Sequence, residues 1–413
     1  MKSILKSSLI GLFASTLLSS AAFAGDLVIN YDDLNPAPKE AFETAVAAFK
    51  AANPDINVIV NNTDREAHKT AIRNFLVNDA PDVTSWYPGN RMAPFVDAGL
   101  FADISDLWAS DANLASNFEA IKPTMTRDGK QWGVPYSYYQ WGVYYRKDIF
   151  DKLGLTEPAN WGELISACGK MTEAGVTPFT IGTKFLWTAA GVFDYINLRT
   201  NGYEVHNALT AGEIKYTDPR IKQTFMNWAE LIKECPPVSN HATMSWQDAI
   251  APFANGDAAM YVMGNFSVAQ YKAAGLTDDQ IDYFQFPEIT PGLARAEEAP
   301  ADAFFIPANA KNKEDAKKFL SFIAQADIQS DWNKTLGQLP PNSAAAINTD
   351  DKFIVEGFKT VSTASGLAQF FDRDAPAAMA KAGMEGFQEF MLDTSKMDAI
   401  LARLDKVQEE VYK

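Results

Sequence analysis

Apolar positions along this chain switch between two periods, and the switches mark its elements. "DLVINY" (Asp26–Tyr31) is a short apolar run that suits a strand. In "PKEAFETAVAAFKAANP", Phe42, Val46 and Phe49 fall at i, i+4 and i+7, one face of a helix that Pro54 ends. Ile56, Val58 and Val60 alternate in "INVIVNN", a second strand, and Ile72, Phe75 and Leu76 share one side of a helix in "REAHKTAIRNFLVND". "PDVTSWY" closes the series as a third strand. The order β-α-β-α-β calls for a parallel sheet with helices on both faces, an α/β fold. Right-handed crossovers then leave all three strand tips on the same edge.

The middle of the chain repeats this texture. "NWGELISACGKMTEAG" reads as a helix, with Asn160 as N-cap and Glu163 three residues on. "DYINLRTNGYEV" and "IKQTFMNWAELIKE" are further helical stretches. "AAMYVMG" follows a turn at Asn255-Gly256 as a strand. "FFIPANAKNKEDAKKFLSFIAQ" reads as strand, turn and helix, and the tail from about Asp350 is helical. No tandem repeat or long linker interrupts it. Two stretches suit a passage between lobes: "GVPYSYYQWGVYYRKDIF" and the Pro-, Gly- and Ala-rich "PEITPGLARAEEAPADAFFIP".

The first 24 residues differ in kind. Lys2 and Lys6 precede an apolar run from Leu9 to Leu18, and "AFA" ends at Ala24, the pattern of an export signal cleaved after Ala24. The run falls short of the roughly 20 residues that a bilayer requires, and no later segment approaches that length. Removing 24 of 413 residues leaves 389, enough for two or three domains, and shifts the formal charge from −16 to −18 because two lysines leave. That acidity argues against nucleic acid and anionic lipid as partners. Export also bears on Cys168 and Cys235. They form either one disulfide or two buried thiols, and an oxidising compartment favours the bond.

The chemistry of most enzymes has no foothold here. His68, His206 and His241 lie far apart, without metal-ligand spacing. A nucleophile elbow, a P-loop and a dinucleotide fingerprint are all absent. No metal or other cofactor is expected. With 52 acidic residues, a glycosidase carboxylate pair stays open.

The three strand tips carry Asp32 and Asp33, then Asn61 to Asp64, then Ser85 to Arg91. Each is polar, and each also suits ordinary turn chemistry. The first and third add aromatic rings. A sugar presents an apolar C–H face that stacks on such rings and a rim of hydroxyls that pairs with amide, carboxylate and guanidinium groups. The Tyr- and Trp-rich stretch supplies both surfaces. Tyr136, Tyr138, Tyr139, Gln140 and Trp141 are expected to straddle a cleft, with Val143 and Tyr144 in the core.

Four further stretches, in order, resemble one family. "FETAVAAFKAANPDINVIV", "APDVTSWYPGNRMAPFVDAGLFADISDLW", the Tyr-rich crossing with "PANWGEL", and "FANGDAAMYVMGNF" with "GQLPPN" are similar to the maltose-binding-protein-like solute-binding proteins of ABC sugar importers. The resemblance implies a two-lobed periplasmic-binding-protein fold of type II, with mostly parallel sheets and a ligand cleft between lobes. It implies a first lobe of residues 25–135 and about 302–340, and a second of about 136–301 and 341–413. It further implies a monomer in the periplasm that catalyses nothing, binds a carbohydrate and delivers it to an inner-membrane permease with a cytoplasmic ATPase. The ligand contacts expected from tips and resemblance together are Asp33, Asp64, Trp86, Asn90, Arg91, Tyr139, Gln140, Lys184, Trp187, Asn265, Phe266, Asp302 and Arg373. Phe266 stands where the family often has Trp, so an indole donor is lost. Lys184 and Arg373 would suit an acidic or sulfonated sugar. An exported glycosidase or lyase, and a receptor for a non-sugar solute such as a polyamine, are the competing readings.

Overall fold

The computed structural model describes residues 25–412, so the expected export signal and its expected cleavage after Ala24 lie outside the described residues. Nine strands of four or more residues build two sheets: β1 (Leu27–Tyr31), β2 (Val58–Asn62), β3 (Val83–Trp86), β4 (Gly133–Tyr138), β5 (Trp141–Arg146), β6 (Thr177–Thr180), β7 (Ala258–Gly264), β8 (Ile281–Phe284) and β9 (Ala301–Phe305). The first sheet has the order β2-β1-β3-β9-β4, the second β8-β5-β7-β6. Helices α1 (Pro36–Ala52) and α2 (Arg65–Asn78) follow β1 and β2 as their apolar periods predict. Phe42, Val46 and Phe49 are buried on α1, and Ile72 and Leu76 on α2. Among the described residues no helix is long and apolar enough to cross a membrane.

Each sheet contains one reversed strand, and the reason is topological. β1, β2 and β3 are parallel and end at the cleft edge. A chain that enters a lobe through the cleft must begin its strand at that same edge and run away from it. β5 enters the second lobe this way and is antiparallel to both β7 and β8. β9 returns to the first lobe and is antiparallel to β3 and β4. β4 continues in the first sheet to Tyr138, so the chain crosses at Tyr139-Gln140, a few residues past the expected boundary at 135.

Two large apolar cores result. One joins β1–β4, β9 and the helix Ala326–Leu336 around Phe42, Phe304 and Trp332, and the other surrounds β5–β8 with the C-terminal helices. A small cluster of Ala299, Leu339, Ile354 and Val361, packed on Tyr138, lies where three chain crossings meet. Tyr138 and Leu339 exchange backbone hydrogen bonds of 3.0 Å in both directions, and Tyr139 N–H donates to the Pro300 carbonyl at 3.4 Å. Two expectations from the sequence differ in detail. The helix Trp187–Asn201 stops at Gly202, whose φ of 84° suits glycine, before Tyr203–Thr210 resumes. Tyr136 does not reach the cleft but packs on Phe304 and Trp332, with ring centroids 4.6 and 5.1 Å away.

In the second lobe, Cys168 and Cys235 are joined as a disulfide with Cα atoms 5.1 Å apart. It ties the helix Trp161–Glu173 to the end of Pro219–Glu234. Under the short helix Phe371–Asp374 lies a buried acid pair. Asp194 accepts the Phe371 N–H at 2.9 Å, while both Glu298 oxygens and the second Asp194 oxygen lack a donor. Burial, and for Glu298 the neighbouring Asp194 carboxyl, push both above the usual carboxylate range, Asp194 to about 8. The pair therefore holds a proton at neutral pH.

Two outcomes are expected. Reduction, or Cys168→Ala with Cys235→Ala, removes a link across a sequence separation of 67 residues. Loop-closure entropy puts the loss near 4 kcal/mol, to be read as a lower Tm with dithiothreitol. The acid pair sets a pH trend. The folded chain keeps protons that the unfolded chain gives up above about pH 4, so stability falls as pH rises from there towards 8. Glu298→Gln should flatten the fall of Tm between pH 5 and 8; parallel curves for both proteins would contradict it.

Candidate functional site

The edge where β1, β2 and β3 end faces the second lobe across a cavity of about 400 Å³. The two walls differ in chemistry. The first-lobe wall is polar and charged: Asp33, Asn35, Asp64, Arg65, Glu66, Lys69 and Tyr87. The second-lobe wall carries an aromatic cluster, Trp141, Phe185, Trp187, Trp246, Phe266 and Phe370, together with polar and charged residues, Lys184, Ser245, Gln247, Asp248, Gln270, Asp372 and Arg373. Tyr139, Asp302 and Gln338 come from the crossings themselves.

The charged wall is organised by Arg65, the first residue of α2. Its guanidinium lies 3.0 Å from Asp33, 3.7 Å from Asp32 and 3.6 Å from Asp302. Asp64 caps the same helix, accepting the N–H groups of Glu66 and Ala67 at 3.0 and 3.1 Å. From the second lobe Arg373 reaches the same Asp302 oxygen at 3.4 Å, donates to the Tyr139 hydroxyl at 2.9 Å and stacks over the Tyr87 ring at 4.0 Å. Lys69 stands 4.0 Å from Asp372. Burial opposes charge on Asp32, yet Arg65, His68 and the Ser85 hydroxyl hold its carboxyl below the usual range. For Asp33 burial wins over Arg65 and the carboxyl is raised. Burial raises the Tyr139 phenol too, despite Arg373, so it stays a hydrogen-bonding hydroxyl.

The aromatic wall is a set of edge-to-face contacts. Phe266 meets Trp246 at 5.3 Å and Tyr139 at 5.1 Å, and Trp187 meets Trp141 at 6.0 Å. Glycines make room for it. A Cβ on Gly264 would strike the Phe266 ring at 2.4 Å, and one on Gly191 would strike Trp141 at 2.7 Å. Trp187 is held by a tight turn at Leu186. There φ is 70° and the Trp187 N–H donates to the Phe185 carbonyl at 2.8 Å, a rare left-handed γ-turn. That turn places Phe185 and Trp187 on the same cavity wall.

Of the thirteen residues expected from the sequence, eight line this cavity: Asp33, Asp64, Tyr139, Lys184, Trp187, Phe266, Asp302 and Arg373. Five do not. Trp86 is buried against His68 and Phe95, and Tyr87 faces the cavity in its place. Successive strand residues face opposite ways, so an error of one position changes the side. Arg91 turns back over the Trp86 ring, 5.7 Å from its centroid. Asn90 donates to the Asp374 carbonyl and carboxylate at 2.8 and 3.1 Å. Gln140 is fully buried and donates to the Phe353 carbonyl at 3.2 Å. Asn265 accepts the Tyr144 hydroxyl at 2.9 Å and donates to the Gly337 carbonyl. These last two lock the crossings together. Val143 and Tyr144 lie in the core, as expected. Arg65, Lys69, Tyr87, Trp246, Phe370 and Asp372 were not foreseen. Arg65 and Lys69 sit one and five residues beyond the second tip, on the partly buried first turns of a helix whose apolar face drew the attention.

The arrangement offers stacking on one side and paired donors and acceptors on the other, with no group of acids, histidines and cysteines fit for a metal among the described residues. The sequence profile of the bacterial extracellular solute-binding proteins matches residues 35–330. An uncharacterised ABC transporter extracellular-binding protein of Pyrococcus horikoshii is 28% identical over 334 residues, covering 79% of this chain and 74% of that protein. A multiple sugar-binding protein of Streptococcus mutans is 25% identical over 284 residues, covering 67% and 66%. Among solved structures, the bacterial solute receptor AcbH, described as having an exclusive preference for β-D-galactopyranose, superposes with a TM-score of 0.88 at 28% identity, covering 94% of this chain and all of that one. With two lobes, a cavity between them and a profile match over most of its length, the chain belongs to the bacterial extracellular solute-binding proteins.

Proposed function

We propose that this protein captures a neutral sugar in the periplasm and presents it, in the closed form, to an ABC permease in the inner membrane. The observation that carries this reading is a cavity that sets an aromatic cluster of the second lobe against a polar and charged edge of the first, with Arg373 joining that edge from the second lobe. A pyranose has the same two kinds of surface. Its C–H face stacks on Trp187 and Phe266, and its hydroxyls pair with Asp33, Asp64, Arg65, Asp302 and Arg373. Contacts to both lobes at once favour closure, because only a difference in affinity between two states shifts their balance.

A neutral ligand fits the charge of the site better than an acidic or sulfonated one. Six acids line it (Asp33, Asp64, Glu66, Asp248, Asp302 and Asp372) against four bases (Arg65, Lys69, Lys184 and Arg373). Three of those bases are already paired with carboxylates. Lys184 leans over the Phe185 ring at 5.3 Å. An anion would have to displace acids from cations.

The test is a thermal-shift screen of the chain from residue 25 onward against neutral sugars, uronic acids, sulfated sugars and polyamines. A ligand bound only by the native state raises Tm by mass action. Neutral mono- or disaccharides should raise it, and product analysis should find the sugar intact. Trp187→Ala should weaken binding of the best sugar about tenfold, which is about 1.4 kcal/mol, within the range of one lost aromatic contact. A shift confined to anions or polyamines, or a cleaved oligosaccharide, would defeat the proposal.

A further inference from the structure

The cavity is closed unevenly. Among its large apolar lining residues Leu34 and Phe185, on opposite lobes, are open to solvent, 52% and 40% exposed. Elsewhere on its lining the segment Phe370–Asp374 of the second lobe lies across onto the first. Arg373 reaches Asp302 and the Tyr87 ring, and just beyond it Asp374 receives two hydrogen bonds from Asn90. Asp374 is itself held from behind by the Thr210 hydroxyl at 2.5 Å, and the segment is anchored where the Phe371 N–H meets Asp194. Asn90 projects from a turn opened by Gly89, with φ 66°, a conformation that favours glycine. The contact is therefore built from fixed parts on both lobes. The volume of about 400 Å³ is at the low end of small-molecule sites, roughly 300–1,000 Å³.

We propose that the Arg373, Asp302 and Tyr87 contact, braced from outside the cavity by the Asn90–Asp374 hydrogen bonds, forms an end wall that sets ligand length. Resting on the sugar-receptor reading, this assigns the cleft to a saccharide of one or two rings, or to the terminal rings of a longer chain that leaves past Leu34 and Phe185. A chain running through the cleft has no exit on the Asp374 side. Asn90 and Asp374 are thus specificity-determining residues that need not touch the ligand.

The experiment uses galactose with its β-1,4-linked oligomers, xylose with its β-1,4-linked oligomers and glucose with its α-1,4-linked oligomers, each from one to five units, measured by titration calorimetry. The proteins are the wild type, Asn90→Ala and Asn90→Asp. Asn90 is exposed, so both variants should fold with Tm near that of the wild type. Asn90→Asp places a carboxylate against the carbonyl and carboxylate that Asn90 now binds. In the wild type, affinity within a bound series should stop rising at the second unit. In Asn90→Asp it should go on rising to the third and fourth, by about tenfold, which is about 1.4 kcal/mol, with Asn90→Ala between the two. Mono- and disaccharide affinity should change far less. A wild-type affinity that climbs through five units would overturn the end wall while leaving the sugar receptor intact. So would identical length profiles for all three proteins. Wild-type protein that binds no member of any series or of the broader panel would instead overturn the receptor reading, and this inference with it.

Discussion

The site is organised around one carboxylate shared by two cations. Asp302 lies at the start of β9, where the chain re-enters the first lobe, and Arg65 and Arg373 reach it from different lobes at 3.6 and 3.4 Å. A carboxylate buried with one guanidinium would be a local ion pair of little consequence for domain geometry. Shared between two, it makes the distance between the lobes an electrostatic variable. Tyr87 takes part in the same arrangement, with Arg373 stacked on its face and the Arg65 guanidinium 3.4 Å from its hydroxyl. Buried charges of this kind cost several kcal/mol of desolvation each unless they are paired. The pairing also holds donors and acceptors at fixed positions around a polar ligand. A site built this way discriminates by penalty, because a ligand without the right hydroxyls leaves buried groups unpaired.

Topology delivers that carboxylate to its place. Because parallel strands end at the cleft, the crossings begin and end there too. Tyr139, Asp302 and Gln338 are consequently within the cavity wall although they lie about two hundred residues apart at the extremes. The residues on either side of each crossing are committed to holding it. Gln140 and Asn265 are linked through the Asn265 N–H and the Gln140 carbonyl at 2.9 Å, and each spends its side chain on another crossing or its neighbours. A hinge has to be strong in its bonds and narrow in its section, and three backbone bonds around Tyr138, Tyr139, Pro300 and Leu339 meet both conditions.

Much of this was legible because burial leaves a periodic mark. The α1 stripe of Phe42, Val46 and Phe49, the alternation in "INVIVNN" and the capping residue Asn160 each follow from local physics and appear where that physics puts them. The sharing of Asp302 had no such mark, since ion pairs between residues 237 or 71 positions apart leave no period. Strand faces were legible only to within one residue, which is why Trp86 was expected where Tyr87 stands. Gln140 and Asn265 misled for a different reason. Polar residues next to aromatic ones at a crossing serve a ligand and a hinge equally well, and only the position of the partner carbonyls of Phe353 and Gly337 separates the two. The reversed strands β5 and β9 are a third case. They follow once the cleft edge is known, but no pattern within either strand announces direction.

The unequal division of labour between the lobes has an energetic consequence. The aromatic wall is rigid, because its rings support one another and Gly264 in a strand and Gly191 in a helix fix their approach. In the proposed receptor it would hold an apolar sugar face before closure. The charged wall is complete only when Arg373 meets Asp302, so its contribution depends on closure. Binding then has two parts: stacking, which is available in either state, and hydroxyl pairing, which is available in one. Only the second part shifts the balance between states, since a contact of equal strength in both moves nothing. A solute with a good stacking face and poor hydroxyl geometry would occupy the second lobe and leave the protein open. In such a receptor, recognition of the hydroxyl pattern and the signal to the permease are the same event, and the aromatic wall raises occupancy without contributing to that signal.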